Sequence, residues 1–197
     1  MKNVLIINGH QEYPFSEGKL NATLVEKAKS FLSARGYEVK VTVATEPYII
    51  EDEIEKFKWA DNVILQMPIN WMSVSWSCKK YIDDVWTVGM MGELSDGDGR
   101  HSIAPKKNYG LGGKLNGKYM LSVTANAPKE AFNNPEERFF AGISEDDLLL
   151  HIHLNFKWLG LEPLPTFIAY DVMKNPDIAN DFSRFEEHLN KYFTNNN

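Results

Sequence analysis

Short, uninterrupted apolar runs separated by helical patterns constrain the fold of this chain more than any other feature. Runs such as "VLII" (4–7) and "NVILQM" (62–67) show little alternation between apolar and polar residues. Such runs are typical of strands that are buried on both faces, as in a parallel sheet. Between them, apolar residues recur at helical spacing, for example within 20–32. The alternation predicts an α/β protein in which helices cover both faces of a parallel sheet.

We predict a single domain with five strands. Strands are expected at 4–7, 37–43, 62–67, 118–125 and 164–170, and helices from 20 to a C-cap at Gly36, at 51–60, from 74 to about 86, at 145–158 and from 176 onward. Five strands of this kind most often wind in the order 2-1-3-4-5, which is the flavodoxin-like, doubly wound arrangement. A long glycine-rich insertion at 88–117 interrupts the pattern, and an excursion of that length is more often functional than idle.

Charge and composition narrow the functional classes. The chain has 197 residues, which favours one domain, and a net charge of −6 with scattered Lys and Arg, so we expect no nucleic-acid binding. Cys78 is the only cysteine, which excludes an internal disulfide and a paired-thiol redox motif. No apolar run approaches the roughly 18 residues that span a bilayer, so we expect no membrane insertion and a cytoplasmic location.

The first strand leads into a loop that is suited to an anion. Ligands of an open, doubly wound sheet bind beyond the carboxyl ends of strands 1 and 3, where the strand order reverses. In the loop at 9–19, Ser16 and Gly18 precede a helix start, whose free amides and positive dipole end favour an anion. Asn21 and Thr23 follow, and Lys19 adds a point charge. The alternative is that Ser16 only caps the helix.

Two further loops, at 68–75 and 125–137, meet the first in this topology and favour a flat ligand. Trp71, Met72 and Trp76 lie in a proline-led loop with no obvious core to fill, so we expect them to stack on a planar ring. Core or oligomer-interface positions are the alternative. Thr124 and Asn126 offer hydrogen bonds to the polar edge of a ring, unless they form only a turn. A phosphate site, a stacking loop and a polar edge together favour a flavin.

Other chemistries are disfavoured by their context. Cys78 lies on an apolar helical face, so a buried structural thiol is expected and a nucleophile is not. His151 and His153 diverge if the segment is helical, and no third ligand is nearby, so we expect no metal site. Asp83 and Asp84 are adjacent on a helix and point apart, which argues against paired-carboxylate chemistry.

The sequence resembles the modulator of drug activity B family of flavin-dependent quinone reductases almost end to end. The resemblance is carried by "LIING", "FSEGKLNATL", "QMPINWMSVSWSCKKYIDDVW" and "LEPLPTFIAYDV". It implies FAD, with FMN less expected, an NADPH donor, quinone acceptors and a homodimer in which the partner helps to close the site. Matched position by position, it implies that FAD is bound by Ser16, Glu17, Gly18, Lys19, Leu20, Asn21, Ala22, Thr23, Ile69, Asn70, Trp71, Met72, Tyr109, Thr124, Ala125, Asn126 and Ala127.

The chain departs from the family pattern at the expected flavin edge. The family often has a glycine and an aromatic residue where this chain has Ile69 and Asn70, and an aromatic residue where it has Ala125. The resemblance therefore leaves acceptor preference and flavin affinity open.

We therefore expect a FAD-dependent NADPH:quinone oxidoreductase that works by two-electron, ping-pong hydride transfer. In this hypothesis the amides of 16–21 hold pyrophosphate, Trp71 and Met72 flank the ring, and Tyr109 contacts the flavin or the acceptor. No catalytic residue is assigned, and the segment from His10 to Phe15 has no assigned role. The alternatives are a flavodoxin-type carrier of single electrons and a regulatory flavoprotein subunit of a transporter.

Overall fold

The sheet has the predicted strand order. In the computed structural model, which describes residues 2–193, parallel strands follow the order β2-β1-β3-β4-β5, and β6 also pairs with β4. The strands are β1 (Asn3–Asn8), β2 (Glu38–Val43), β3 (Asn62–Pro68), β4 (Lys118–Thr124), β5 (Glu162–Pro163) and β6 (Phe167–Ala169). The order reverses between β1 and β3, so a crevice opens at their carboxyl ends. The predicted flavodoxin-like α/β fold is confirmed.

Two short strands fill the fifth position of the sheet, where the sequence predicts one strand at 164–170. β5 pairs with the start of β4 and β6 pairs with its end. Pro163 and Pro165 lie on either side of Leu164, and proline has no backbone N–H to donate to a strand ladder. The ladder is therefore interrupted, although the backbone N–H of Leu164 still donates to Tyr119 O at 2.7 Å.

Helices cover both faces of the sheet. They are α1 (Lys19–Ser33), α2 (Ile50–Trp59), α3 (Trp76–Gly89), α4 (Glu145–Leu148), α5 (Leu150–Trp158) and α6 (Ile178–Tyr192). The predicted helix at 145–158 is divided at Leu149, whose backbone (φ −94°, ψ 10°) departs from helical geometry. Because Ser144 and Asp147 form a capping box, α4 is a separately capped turn at the start of this segment.

The strand β1 shows why the apolar runs are uninterrupted. Leu5 and Ile7 enter a core formed with α2, α3 and α5, whereas Val4 and Ile6 enter a second core formed with α1 and α6. All four side chains are buried, as expected of a strand covered on both faces. None of the helices within residues 2–193 combines the length and apolarity needed to span a bilayer.

The insertion at 88–117 lies at the amino ends of the strands, because it joins the end of α3 to the start of β4. Close backbone approach explains part of its glycine content. A Cβ added to Gly113 would lie 2.1 Å from the backbone nitrogen of Gly160, just after α5. The insertion is therefore at the opposite end of the sheet from the crevice between β1 and β3.

Candidate functional site

A cleft of about 280 Å³ opens at the carboxyl ends of β1, β3 and β4, and we call it the switch-point cleft. It draws residues from all three loops that the sequence singles out and from the segment after β6. Its lining residues are His10, Gln11, Tyr13, Phe15, Ser16, Glu17, Gly18, Lys19, Leu20, Asn21, Pro68, Ile69, Asn70, Thr124, Asn126, Val172 and Met173. The fold thus brings together residues that are more than 100 positions apart in the chain.

Helix α1 begins at this cleft without a side-chain cap. Its N-cap is Gly18, in the left-handed region (φ 82°), and within residues 2–193 no side chain caps the helix. The backbone N–H of Ala22 donates to Gly18 O, so the amides of Lys19, Leu20 and Asn21 precede the first intrahelical bond. Because the first turn carries no acidic residue and lies at the positive end of the helix dipole, it presents an anion-binding surface.

Ser16 lies beside this helix start but does not cap it, so the capping alternative is wrong. Its backbone exchanges two hydrogen bonds with Tyr13, at 3.0 and 2.8 Å, which close a tight turn. The next charged residues, Glu17 and Lys19, form an exposed ion pair with 2.5 Å between Oε2 and Nζ. This pairing lowers the pKa of Glu17 and raises that of Lys19. The charge of Lys19 is therefore offset, and attraction for an anion rests mainly on the amides of α1.

His10 is a cleft residue to which the sequence assigns no role. Its side chain is only 8% exposed, and its Nε2 lies 3.1 Å from Ser16 O. The imidazole ring fills the space beside Gly18, where an added Cβ would lie 2.3 Å from His10 Cδ2. His10 Nδ1 is buried and has no hydrogen-bond partner among the described residues. His10 thus positions the loop before α1, and its only sequence signal is its place directly after Asn8 and Gly9.

A buried polar network beneath the cleft ties α1 to β3 and β4. Gln66 Nε2 donates to Asn21 Oδ1 at 2.9 Å, and Ser122 Oγ donates to Gln66 Oε1 at 2.7 Å. Asn21 Nδ2 donates to Thr124 Oγ1 at 3.2 Å. All four side chains are buried, so these bonds replace those that water would make. Gln66 and Ser122 are missed by sequence reasoning, although a polar residue within an apolar strand is the signal that marks them.

The loop after β3 contributes Ile69 and Asn70 to the cleft. Asn70 Nδ2 donates to the hydroxyl of Tyr13 at 3.2 Å, which joins this loop to the loop before α1. The two predicted ligand-binding loops are therefore in direct contact across the cleft.

Trp71 and Met72 form the tip of a two-residue turn beyond these positions. The backbones of Asn70 and Ser73 exchange hydrogen bonds at 2.8 and 3.1 Å, and both tip residues have positive φ, 48° at Trp71 and 64° at Met72. Trp71 is 92% exposed and lies outside the cleft lining, and Trp76 is also exposed. None of these three side chains belongs to the core, so the core alternative is wrong, and an oligomer-interface position stays a prediction.

A second cavity, of about 490 Å³, adjoins the cleft and shares Ile69 and Asn126 with it. We call it the aromatic annex, and its other lining residues are Met72, Ala125, Ala127, Pro128, Phe132, Phe139, Phe140, Asp171 and Lys174. The predicted residues Ala125 and Ala127 thus lie in the annex, whereas Thr124 lies in the cleft. The phenylalanines come from the segment 128–143, which shows no periodicity that marks it from sequence.

Four of the implied FAD contacts line neither the switch-point cleft nor the aromatic annex: Trp71, Tyr109, Ala22 and Thr23. Tyr109 lies in the insertion with its ring 5.3 Å from that of Trp158, at the amino ends of the strands. Ala22 lies inside α1, and Thr23 Oγ donates to the backbone oxygen of Lys19 at 2.8 Å. Within the described part of one chain, these side chains do not line the cleft.

The remaining candidate groups occupy structural positions. Cys78 is buried, and burial raises the pKa of its thiol to about 12, so the predicted structural thiol is confirmed. The predicted divergence of the two histidines on α5 is also confirmed. His153 Nδ1 lies 2.7 Å from the hydroxyl of Tyr119, whereas His151 Nε2 lies 2.8 Å from Ser73 Oγ. No cluster suited to a metal ion occurs among residues 2–193.

Comparison with known proteins covers nearly the full chain. A family model whose description is "Flavodoxin-like fold" matches residues 2–193. The NADPH:quinone oxidoreductase MdaB of Haemophilus influenzae is 48% identical over 192 residues, which are 97% of this chain and 99% of that protein. Two solved structures share the architecture. A protein assigned as a quinone reductase in Klebsiella pneumoniae is 25% identical, with a TM-score of 0.78 over 98% of this chain and 86% of that one.

The second solved structure is the general stress protein 14 of Treponema denticola, in complex with FMN. It is 17% identical, with a TM-score of 0.62 over 98% of this chain and 96% of that one, and it shows likeness of fold alone. The family match and the full-length relative carry the assignment. The chain therefore belongs to the modulator of drug activity B family of flavodoxin-like proteins, the family that its sequence resembles.

Proposed function

We propose that this protein is a FAD-dependent NADPH:quinone oxidoreductase. The observation that carries the proposal is the uncapped start of α1, which opens into a cleft at the switch point of the sheet and adjoins an apolar annex. Helix amides suit a pyrophosphate group, and apolar walls suit a flat ring. The relative from Haemophilus influenzae supports the choice of NADPH as donor and quinone as acceptor.

The residues of the cleft fit a flavin nucleotide. Bound FAD would supply the redox chemistry, a two-electron hydride transfer from NADPH to a quinone in ping-pong order. The amides of residues 19–21, with Ser16 beside them, would hold the pyrophosphate. Thr124 and Asn126 would donate or accept hydrogen bonds at the polar edge of the ring, and Met72 would pack against it.

The buried network fixes the separation of these groups. Asn21 belongs to the anion-binding turn of α1, and Thr124 belongs to the end of β4, where the ring edge is expected. Because the two side chains are bonded to each other and Asn21 is bonded to Gln66, the two parts of the site cannot shift independently. The chain's own contribution is thus to bind and orient the reactants.

We further propose that the protein is a cytoplasmic homodimer. Trp71 and Leu150 expose apolar surface, and the bond between Ser73 and His151 holds the Trp71 turn beside α5. A second copy that covers this surface would also allow Tyr109 of one chain to reach the cleft of the other. Sedimentation velocity would then give a dimer of 22.5 kDa chains. A chain that stays monomeric at micromolar concentration contradicts this arrangement.

Absorbance spectroscopy during turnover tests the function. The purified protein, incubated with FAD, is expected to show flavin absorbance that NADPH bleaches and menadione restores, with no lasting semiquinone band. A stable semiquinone with slow turnover supports the electron-carrier alternative, and retention by a membrane transporter without turnover supports the regulatory alternative. Mass analysis of the extracted cofactor distinguishes FAD from FMN. A protein that retains neither flavin contradicts the proposal.

A pair of glycine substitutions tests where the phosphates bind. Gly18→Ala forces a Cβ onto the ring of His10 and disturbs the start of α1. Gly36→Ala is the matched control, because Gly36 has nearly the same φ (80° against 82°) but nothing within 4 Å of an added Cβ. Both changes introduce backbone strain, and only Gly18→Ala is expected to lower FAD retention, by tenfold or more. Equal retention in the two variants means that the phosphates bind elsewhere.

A further inference from the structure

The aromatic annex has a wall that the FAD contacts do not use. Phe132 and Phe140 stack with ring centroids 4.5 Å apart and are buried. Phe139 meets Phe140 edge to face at 4.9 Å, yet it is 74% exposed. One aromatic side chain therefore lies at the mouth of the cavity, supported by two that are fixed in place.

Backbone strain is concentrated around this cavity. Met72 and Asp171 line it and have positive φ, and Asn133 and Ala141, with φ of 55° and 51°, flank the phenylalanine segment. Such a conformation is strained for Met72 and Ala141, whereas Asn133 and Asp171 are of residue types that tolerate it. Strain of this kind persists where the surroundings impose it, and it is found preferentially at ligand sites. The observation points to a shaped cavity rather than an incidental gap between loops.

The charge of the annex favours a neutral occupant. Its charged lining residues are Asp171 and Lys174, whose formal charges cancel, and its other residues are apolar apart from Asn126. Among residues 2–193, none of the helices α1 to α6 contributes to its lining and Lys174 is its one cation, in contrast to the cleft, which contains the start of α1. An anionic nucleotide would gain nothing here, whereas a neutral aromatic or aliphatic group would be removed from water.

We propose that the annex is the subsite that receives the apolar substituent of the quinone acceptor, an alkyl or prenyl chain, and that Phe139 forms its outer wall. This inference rests on the proposed function and deepens it. The annex shares Ile69 and Asn126 with the cleft, so a quinone ring at the junction would extend its substituent towards Phe139. Its volume of about 490 Å³ lies within the range of sites for drug-sized ligands (about 300–1,000 Å³) and exceeds what a bare quinone ring needs.

Equilibrium binding to the oxidised, FAD-loaded protein provides the test, without NADPH and so without turnover. Isothermal titration calorimetry compares a decyl-substituted benzoquinone with the same ring carrying only a methyl group. Each buried methylene is expected to tighten the dissociation constant roughly fourfold. Even partial burial of the chain then gives the decyl compound at least a tenfold advantage in the wild-type protein.

Substitutions at Phe139 test whether the annex is the site at which the decyl chain tightens binding. Phe139→Ala is expected to weaken decyl-quinone binding five- to tenfold and to change methyl-quinone binding less than twofold, whereas Phe139→Tyr keeps the preference. Because Phe139 is exposed, neither change is expected to unfold the protein. Leu111→Ala is the matched control, since Leu111 is equally exposed, at 73%, and lines neither cavity. It should leave both affinities unchanged.

The outcomes separate this inference from the proposed function. NADPH–menadione turnover with equal affinity for the two quinones overturns the annex assignment alone. Decyl preference that depends on Phe139 in a protein that does not oxidise NADPH overturns the function and supports the annex as a subsite for apolar chains. Loss of FAD in Phe139→Ala assigns this wall to the cofactor, and equal effects of Phe139→Ala and Leu111→Ala indicate unspecific adsorption. Both results overturn the inference.

Discussion

Replacement of Trp71 by asparagine is expected to stabilise the flavin-free chain while it impairs the working protein. Trp71 occupies the first tip position of a two-residue turn in which both tip residues have positive φ. Turns of this type favour Asn followed by Gly, because Asn tolerates the left-handed region and a bulky residue does not. Natural selection of tryptophan at this position therefore needs a reason beyond the stability of the isolated chain.

The size of the effect follows from two terms. A left-handed conformation costs a residue such as tryptophan roughly 1–2 kcal/mol, and asparagine relieves a large part of that cost. Trp71 is 92% exposed. The burial that is lost on substitution is therefore only about 20 Å² of the roughly 250 Å² of a tryptophan, worth about 0.5 kcal/mol. The net gain is about 0.5–1 kcal/mol, or a rise of about 1–4 °C in Tm for a chain of this size.

Thermal unfolding of flavin-free, dilute protein measures this term, and FAD retention and turnover measure the functional cost. Trp76→Asn is the matched control, because Trp76 has the same side chain at the first position of α3, without positive φ and with more of its surface covered. This control variant should lower the free energy of unfolding by about 1–2 kcal/mol, and Tm should fall with it. A fall in Tm for Trp71→Asn in the free chain would refute the reasoning, since it would mean that the native contacts of Trp71 outweigh its strain.

Three further predictions concern Cys78, Glu53 and Asp146. Cys78 should resist alkylation at pH 8 in the folded protein and react within minutes in urea, because burial raises its pKa to about 12; fast reaction of the folded protein contradicts this. The buried Glu53 carboxylate accepts hydrogen bonds from Tyr81, from Thr42 and from the partly exposed Lys56. Glu53→Gln should therefore lower the free energy of unfolding in urea by about 3 kcal/mol, and a change below about 1 kcal/mol contradicts this role. The contact with His153 holds the pKa of Asp146 below its ordinary value. The stabilisation from the ionised Asp146 is therefore complete above about pH 4 and disappears as the pH falls further. Asp146→Asn should make the stability fall less steeply with acid in that range, and an unchanged slope refutes the assignment.

The sequence predicts the parts of this fold that depend on local pattern. The strands β1, β3 and β4 lie within about one residue of their predicted bounds, because burial on both faces leaves an unbroken apolar run. The break at Leu149 was not predicted, since it depends on how α4 and α5 pack. The division of the last strand position depends on how two prolines meet the edge of β4.

The candidate site shows the same contrast between features that follow from local sequence pattern and features that depend on contacts in three dimensions. The anion-binding start of α1 follows from the topology and from the residues around Gly18. His10 was missed because its burial depends on the absence of a Cβ at Gly18, which is a contact in three dimensions. Phe139 was missed because an irregular segment carries it, and the exposure of Trp71 was missed because the turn geometry directs its side chain outward.

The distribution of charge and shape across the two cavities favours a reductase over an electron carrier. A carrier of single electrons needs an accessible ring edge and a surface for a protein partner, and a cavity for a second small molecule adds nothing to that task. Here the anion-binding amides of α1 lie on one side of Ile69 and Asn126, and a neutral aromatic cavity of about 490 Å³ lies on the other. This polarity would orient a nucleotide with its phosphates towards α1 and leave room for an acceptor beside its ring. The annex is therefore the feature of this fold that argues for direct transfer to a small molecule.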